Sequence, residues 1–456
     1  MFKKNRLSSY LILISVAIIL CLFIWLFTII FEGERPIVSL DPRPEFLSKK
    51  QLFTIDAGDL KRGLKELKVV YNQAGTDVIL FEQKFPFQGI FNREGVRNFK
   101  KELDIDPSGL QLAQGRVDLE VRVWDYSRRN GGDGNMTIVQ HTMTVDTIPP
   151  AIRAISSMHN INVGGAGLVV YRASSDTIES GVYVDDLLFR GFPAGGESKE
   201  GTYLAYFALP YNSRSDPSIR LLARDRAENT ASANFYYHIN LKRFGSEKMN
   251  ITDAFLRSAL PFFSDYKFNP DDSDIEKYIK INNDLRKKDD ESISHLAEKP
   301  AQESYWEGAW ITLKNAATMS GYADHRTYYY RGEKIDEQYH LGIDLASLAN
   351  SPVEAGNGGK IIFAGKNGIY GLMVVIDHGQ GIASLYGHLS RMEVAVGDMV
   401  KKGDIIGYTG QTGLAGGDHL HFSMLVHGIF VNPLEWIDPH WIEDNIIKKL
   451  DLIKQQ

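Results

Sequence analysis

Between Leu11 and Phe31 only Ser15 and Thr28 interrupt an otherwise apolar run of 21 residues. In hydrocarbon every backbone N–H and C=O must be satisfied within its own segment, so a run of this length can cross a bilayer only as an α-helix. A secretory signal has a shorter core of about 7 to 15 apolar residues and small residues at its cleavage site. The "FTIIFEGERP" found here offers none, and Ile18, Ile19 and Leu20 before Cys21 do not form a lipoprotein site. Residues 11–31 are therefore expected to be a retained transmembrane anchor. A basic stub, residues 1–10, carries Lys3, Lys4 and Arg6 on one side, and Glu32 and Glu34 follow on the other. That asymmetry predicts a single pass, with the N-terminus in the cytoplasm and the remaining chain on the extracytoplasmic side of the cytoplasmic membrane.

The 456 residues suggest about three domains at roughly 150 residues each. A net charge of -6 leaves no general attraction for nucleic acid, which is excluded as a partner. Cys21 is the sole cysteine, so neither an intrachain disulfide nor a thiolate metal cluster can form. Any metal must be held by His, Asp or Glu.

From residue 32 to 150 short β-type runs are broken by turn residues. In "RVDLEVRVWDYS", Val117, Leu119, Val121 and Val123 alternate with polar neighbours, the pattern of a strand with one buried face. Pro149 and Pro150 close the segment. A second β-rich stretch, 151–243, echoes the first: strand, Asp225 turn and strand match strand, Asp125 turn and strand. Two β-sandwich modules in tandem account for both; they resemble bacterial immunoglobulin-like modules and are expected to act as spacers or as docking surfaces for cell-envelope proteins. Over 244–304 the period changes, with Ile275, Tyr278, Ile279, Asn282 and Leu285 at helical intervals, a cap at Ser273 or Asp274, and Pro300 as a stop. This predicts a helical connector whose "RKKDDE" is a solvated face. Residues 305–438 return to glycine-rich, strand-like sequence, and 439–456 read as a helical tail. The whole is a mainly β, multidomain chain.

Eight of the twelve histidines lie between His325 and His440. In "YHLGIDLAS", His340 and Asp344 are expected on one strand face, and in "GGDHLHFSML" His419 and His421 point the same way, because strand side chains at i and i+2 share a face. His340, Asp344 and one histidine of the second pair can supply three zinc ligands and leave the fourth position open, as catalytic sites require. No His-Glu-x-x-His helix provides a glutamate base. His388 in "LYGHLS" and the remaining histidine of the pair are the candidates for proton transfer, since imidazole titrates near neutrality. His378 is expected at a strand end or turn, and His427 and His440 on the surface.

"HLGID", "YGHLS" and "HLHF", in that order and with "VKKGDIIGYTGQTG" before the last, resemble the lysostaphin and LytM type of zinc endopeptidase, which cut peptide bonds in bacterial peptidoglycan. The resemblance covers about Gly321 to Asp438. It implies an antiparallel β fold with a loop-walled groove, one zinc ion on His340, Asp344 and His421, and a catalytic pair His388 and His419. Arg326 and Tyr386 are candidates for the groove wall. The expected function is a membrane-anchored zinc metalloendopeptidase of cell-wall remodelling, its domain facing the periplasm and its substrate peptidoglycan peptides. The alternatives are a non-catalytic activator of another wall hydrolase, or an adhesive role for the β modules. The connector, directly before the catalytic segment, is expected to cover the groove until displaced.

Overall fold

A computed structural model describes residues 4–195 and 201–454, without the side chains of residues 4–7, so the first three residues of the basic stub lie outside the described residues. The fold is mainly β, 43% strand against 20% helix. Helix α1, Lys4–Ile30, contains the apolar run up to Ile30; its stretch Ser8–Ile30 is long and apolar enough to cross a membrane, with a mean hydropathy of 3.0 over an 18-residue window. Two compact units divide the chain, residues 1–149 with 226–229, and 150–225 with 230–456.

In the first unit, a three-stranded sheet (Ile37–Asp41, Gln51–Gly58, Asn98–Ile105) and a five-stranded one enclose a single core. The alternation read in "RVDLEVRVWDYS" falls on the strand Gly115–Asp125, where Val117, Leu119, Val121 and Val123 are all buried. In the second unit two four-stranded sheets built from residues 152–233 share a continuous core with the C-terminal domain. Its aromatic centre is Trp306, Trp310 and Trp436, the last fully buried with its ring 5.1 Å from that of Trp310. Beside it the Glu435 carboxylate accepts from Asn162 Nδ2 at 2.6 Å and from the Ala166 N–H at 2.9 Å, tying the two parts together.

Residues 244–304 are not helical throughout. They begin with strand β1, Ser246–Ile251. Helices α2 (Asp253–Ala259), α3 (Asp274–Lys280) and α4 (Arg286–Leu296) follow, with a π-turn at Ile281–Leu285 between the last two. Ser273 caps α3 through a reciprocal box with Glu276. The expected solvated face is corrected in part: Asp289 is only 6% exposed and accepts the Ile369 N–H at 2.7 Å, while Asp290 accepts the Tyr370 hydroxyl at 2.7 Å. An exposed face is the usual setting for such a charge run; here carboxylates on α4 satisfy donors of the C-terminal domain.

That domain is built on the strands β2 (Ala317–Ser320), β3 (His325–Tyr330), β4 (Glu333–Tyr339), β5 (Ile343–Ala346), β6 (Gly359–Asn367), β7 (Gly371–Gly379), β8 (Ile382–Leu389), β9 (Met399–Val400), β10 (Leu420–Val426) and β11 (Ile429–Val431). The large sheet runs β2-β5-β10-β8-β7-β6-β9 with β11 on β10, and a smaller one runs β1-β3-β4. Every pair in the large sheet is antiparallel, while β1 joins β3 in parallel. The tail after Asp438 is helical, from Pro439–Ile442 to Lys448–Lys454.

Candidate metal centre

The site forms where β5, β10 and the end of β8 lie side by side. β5 and β10 pair Asp344 directly with His421, and His421 Nδ1 is 3.0 Å from Asp344 Oδ1. His340 sits in the extended link between β4 and β5 and not within the strand. Its Nε2 nevertheless lies 3.0 Å from Asp344 Oδ1 and 3.0 Å from His421 Nδ1. Three donor atoms thus meet at one point, on residues 3%, 8% and 4% exposed for His340, Asp344 and His421.

The outer nitrogens decide which lone pairs face inward. His340 Nδ1–H donates to Gly321 O at 2.9 Å, and His421 Nε2–H donates to Ser423 Oγ at 2.9 Å, whose hydroxyl donates on to Leu341 O at 2.8 Å. With protons assigned outward, His340 Nε2 and His421 Nδ1 are free to bind a cation. Burial pushes His421 down to about 4, which keeps it neutral. Burial alone would raise Asp344, but the surrounding imidazoles, His340 foremost, hold its carboxyl well below the usual range. Two imidazoles and one carboxylate, buried and convergent, fit a zinc-type divalent ion.

Two more histidines border this point. A bulge in the pairing of β7 with β8 sets Gly387 and His388 outside the regular register, and His388 has a left-handed φ of 61°. The bulge turns its ring inward, 4.8 Å from that of His419 and 5.8 Å from that of His421. His388 Nδ1–H donates to Thr412 O at 2.9 Å, and His419 Nδ1–H donates to Gly417 O at 2.8 Å. Both therefore have Nε2 available. Burial, then the neighbouring His419 and His421, push His388 well below its ordinary value. Burial works against the charge on His419 too, but the Asp344 carboxylate, 3.6 Å from its Nε2, leaves it raised.

All five residues share a cavity of 110 Å³ with Arg326, Tyr370, Leu414, Met249 of β1 and Arg286 of α4. Sequence reasoning missed Met249, Arg286 and Tyr370, which carry no motif. Ser423 could have been found, because it stands two residues beyond His421 on the same strand face. Arg326 lines the cavity, its Nη2 donating to Asp344 Oδ2 at 2.7 Å. Tyr386 does not: it is 1% exposed, and its hydroxyl accepts the Gly356 N–H inside the sheet. His378 ends β7 as expected but is buried, between Gly358 O and Ser384 Oγ. His427 is half-buried in its hairpin turn; its ring lies 5.8 Å from each of the Phe189 and Phe192 rings, and its Nε2 is buried. His440 is exposed.

A buried three-donor cluster bordered by two histidines, on an antiparallel sheet, is the arrangement of a mononuclear metal centre. Residues 338–433 match peptidase family M23, and the C-terminal domain of the chain belongs to that family. Over 95 residues the chain is 43% identical to the DD-carboxypeptidase/endopeptidase Mpg of Neisseria meningitidis serogroup B, a match covering 21% of this chain and 22% of that protein. Over 96 residues it is 35% identical to the peptidoglycan DD-endopeptidase ShyA of Vibrio cholerae serotype O1, covering 21% and 22%. Among solved structures, the catalytic domain of lysostaphin from Staphylococcus simulans is 32% identical, with 27% of this chain and 92% of that chain covered at a TM-score of 0.24. The chain thus spans about a fifth of the length of these curated relatives.

Proposed function

We propose that this protein is a membrane-anchored zinc metalloendopeptidase that hydrolyses peptide bonds in peptidoglycan stem peptides or cross-links. The observation that carries the reading is the meeting of His340 Nε2, Asp344 Oδ1 and His421 Nδ1 within 3.0 Å of one another, with His388 and His419 at the same cavity. The name of the Vibrio cholerae relative, a peptidoglycan DD-endopeptidase, supports peptidoglycan as the substrate.

His340, Asp344 and His421 would hold the ion. Bound there, zinc supplies a Lewis acid that polarises the scissile carbonyl and brings the pKa of a water towards about 7. The chain's own residues do the rest. Ser423 and the Gly321 carbonyl fix the orientation of the ligand imidazoles. His388 and His419, each pinned at Nδ1 by a backbone carbonyl, present Nε2 to the cavity. One accepts the proton of the attacking water at Nε2 and delivers it to the leaving amine; the other, protonated at both nitrogens, donates its Nε2–H to the oxygen that becomes negative in the tetrahedral state. We further propose that residues 11–31 are the anchor, with the N-terminus in the cytoplasm and the chain after the anchor on the extracytoplasmic side, and that the β-rich segments are immunoglobulin-like spacers or docking modules.

The test is release of soluble peptides from purified peptidoglycan by the full chain in detergent, with and without a chelator. The reading predicts release that stops with chelator and returns with zinc. Absence of release from zinc-loaded protein, also after the connector has been loosened as described below, would favour the non-catalytic activator.

A further inference from the structure

Asp344 has two oxygens, and only one of them faces the ligand imidazoles. Oδ1 lies 3.0 Å from both His340 Nε2 and His421 Nδ1, while Oδ2 accepts Arg326 Nη2 at 2.7 Å. The guanidinium is itself anchored. Its Nε donates to Glu247 Oε2 at 3.0 Å, the same Nη2 lies 2.7 Å from Ser320 Oγ, and the Ser320 hydroxyl donates to Glu247 Oε1 at 3.0 Å. The backbone builds this arrangement: β1 pairs Glu247 beside Arg326, and β2 pairs Ser320 beside Asp344. Only 14% of the Arg326 side chain and 12% of that of Asp344 is exposed, so the ion pair is shielded from water.

We propose that Arg326, braced by Glu247 and Ser320, is the positioning residue of the metal site: it holds Asp344 Oδ2 out of the ligand set and leaves Oδ1 alone facing the metal. A carboxylate free to turn can offer both oxygens and fill the position that catalysis needs open. A fixed one offers a single donor. The bidentate reach of an arginine suits this role and a lysine's point charge does not. The inference rests on the metal-site reading above.

The experiment measures metal binding, not turnover. Full-length protein in detergent, wild type and the variants Arg326→Gln, Arg326→Lys and Glu247→Gln, is titrated with Zn2+ against a chromophoric chelator. Each is then loaded with Co2+, whose visible absorption is intense in four-coordinate sites and weak in higher coordination. Arg326→Gln is expected to lose about 10- to 100-fold in Zn2+ affinity, the usual effect of removing an outer partner of a ligand, and to show a weaker Co2+ band. Arg326→Lys should recover only part of both, and Glu247→Gln, which leaves the arginine but removes its brace, should shift both in the same direction by less. Thermal melts of the metal-free proteins identify any variant that fails to fold, and Glu247→Gln then carries the test. Zn2+ affinity within about twofold of wild type and an unchanged Co2+ spectrum in the folded variants would overturn the proposal alone. A wild type that binds neither ion would overturn it together with the reading of the site.

Discussion

Ser423 receives the outer proton of His421 and passes its own to Leu341 O, so one hydroxyl settles which nitrogen of His421 faces the cluster. Ser423→Ala removes that acceptor while keeping the ligand. Zinc affinity is expected to fall about 10- to 100-fold, with the fold intact by circular dichroism; unchanged affinity would mean that packing alone orients the ring. At this scale the site was legible wherever chemistry is local. His419 and His421 are two residues apart, and the strand period brings both to Asp344. Tyr386 and His388 are also two apart, yet they part company, because the bulge at Gly387 and His388 interrupts the alternation and leaves Tyr386 in the core. A bulge leaves no mark in hydrophobic periodicity. Glu247 was illegible for another reason: 97 residues separate it from Asp344 in number, and only the pairing of β1 with β3 brings it within reach of Arg326.

The connector lies against the groove. Arg286 of α4 and Met249 of β1 wall the same 110 Å³ cavity as the ligands, a fraction of the roughly 300 to 1,000 Å³ of a ligand pocket. Entry of a peptide chain is expected to displace them. The connector packs Ile281 and Ile293 into the core of the domain, and its polar attachments are Asp289 to the Ile369 N–H, Asp290 to the Tyr370 hydroxyl, and Ser294 Oγ to Gly428 O at 2.8 Å. Asp289→Ala with Ser294→Ala breaks two of these without touching a ligand. Turnover on peptidoglycan is expected to rise several-fold, with zinc content unchanged; equal turnover would show that α4 does not restrict the groove. The helical period of 275–285 was readable, as was the cap at Ser273. The inward turn of Asp289 was not, because a buried carboxylate and a solvated one look alike until the donor opposite, here a backbone N–H some 80 residues away, is known.

Over the whole molecule, the joint between the second β-rich segment and the M23 domain carries a titrating group. Burial raises the Glu435 carboxyl from 4.5 to about 7. The folded chain therefore binds this proton more tightly than the unfolded one, and the stability that protonation contributes is complete below about pH 4.5 and is lost as the pH rises through about 7. Urea midpoints measured across that window should decline for the wild type and stay flatter for Glu435→Gln, whose amide oxygen can still accept from Asn162 and Ala166. At the other end of the chain, deletion of residues 1–31 is expected to move the protein from the carbonate-resistant membrane fraction to the soluble one; retention in the membrane would require a second attachment. The central claim is that one cluster binds the metal and a separate pair of histidines moves protons, and it is tested most directly by His388→Ala and His421→Ala measured together for zinc content and peptide release. The account predicts that His388→Ala keeps one zinc per chain and loses about 10²- to 10⁴-fold in rate, whereas His421→Ala loses both. Loss of zinc from His388→Ala, or release at the wild-type rate by either variant, would contradict it.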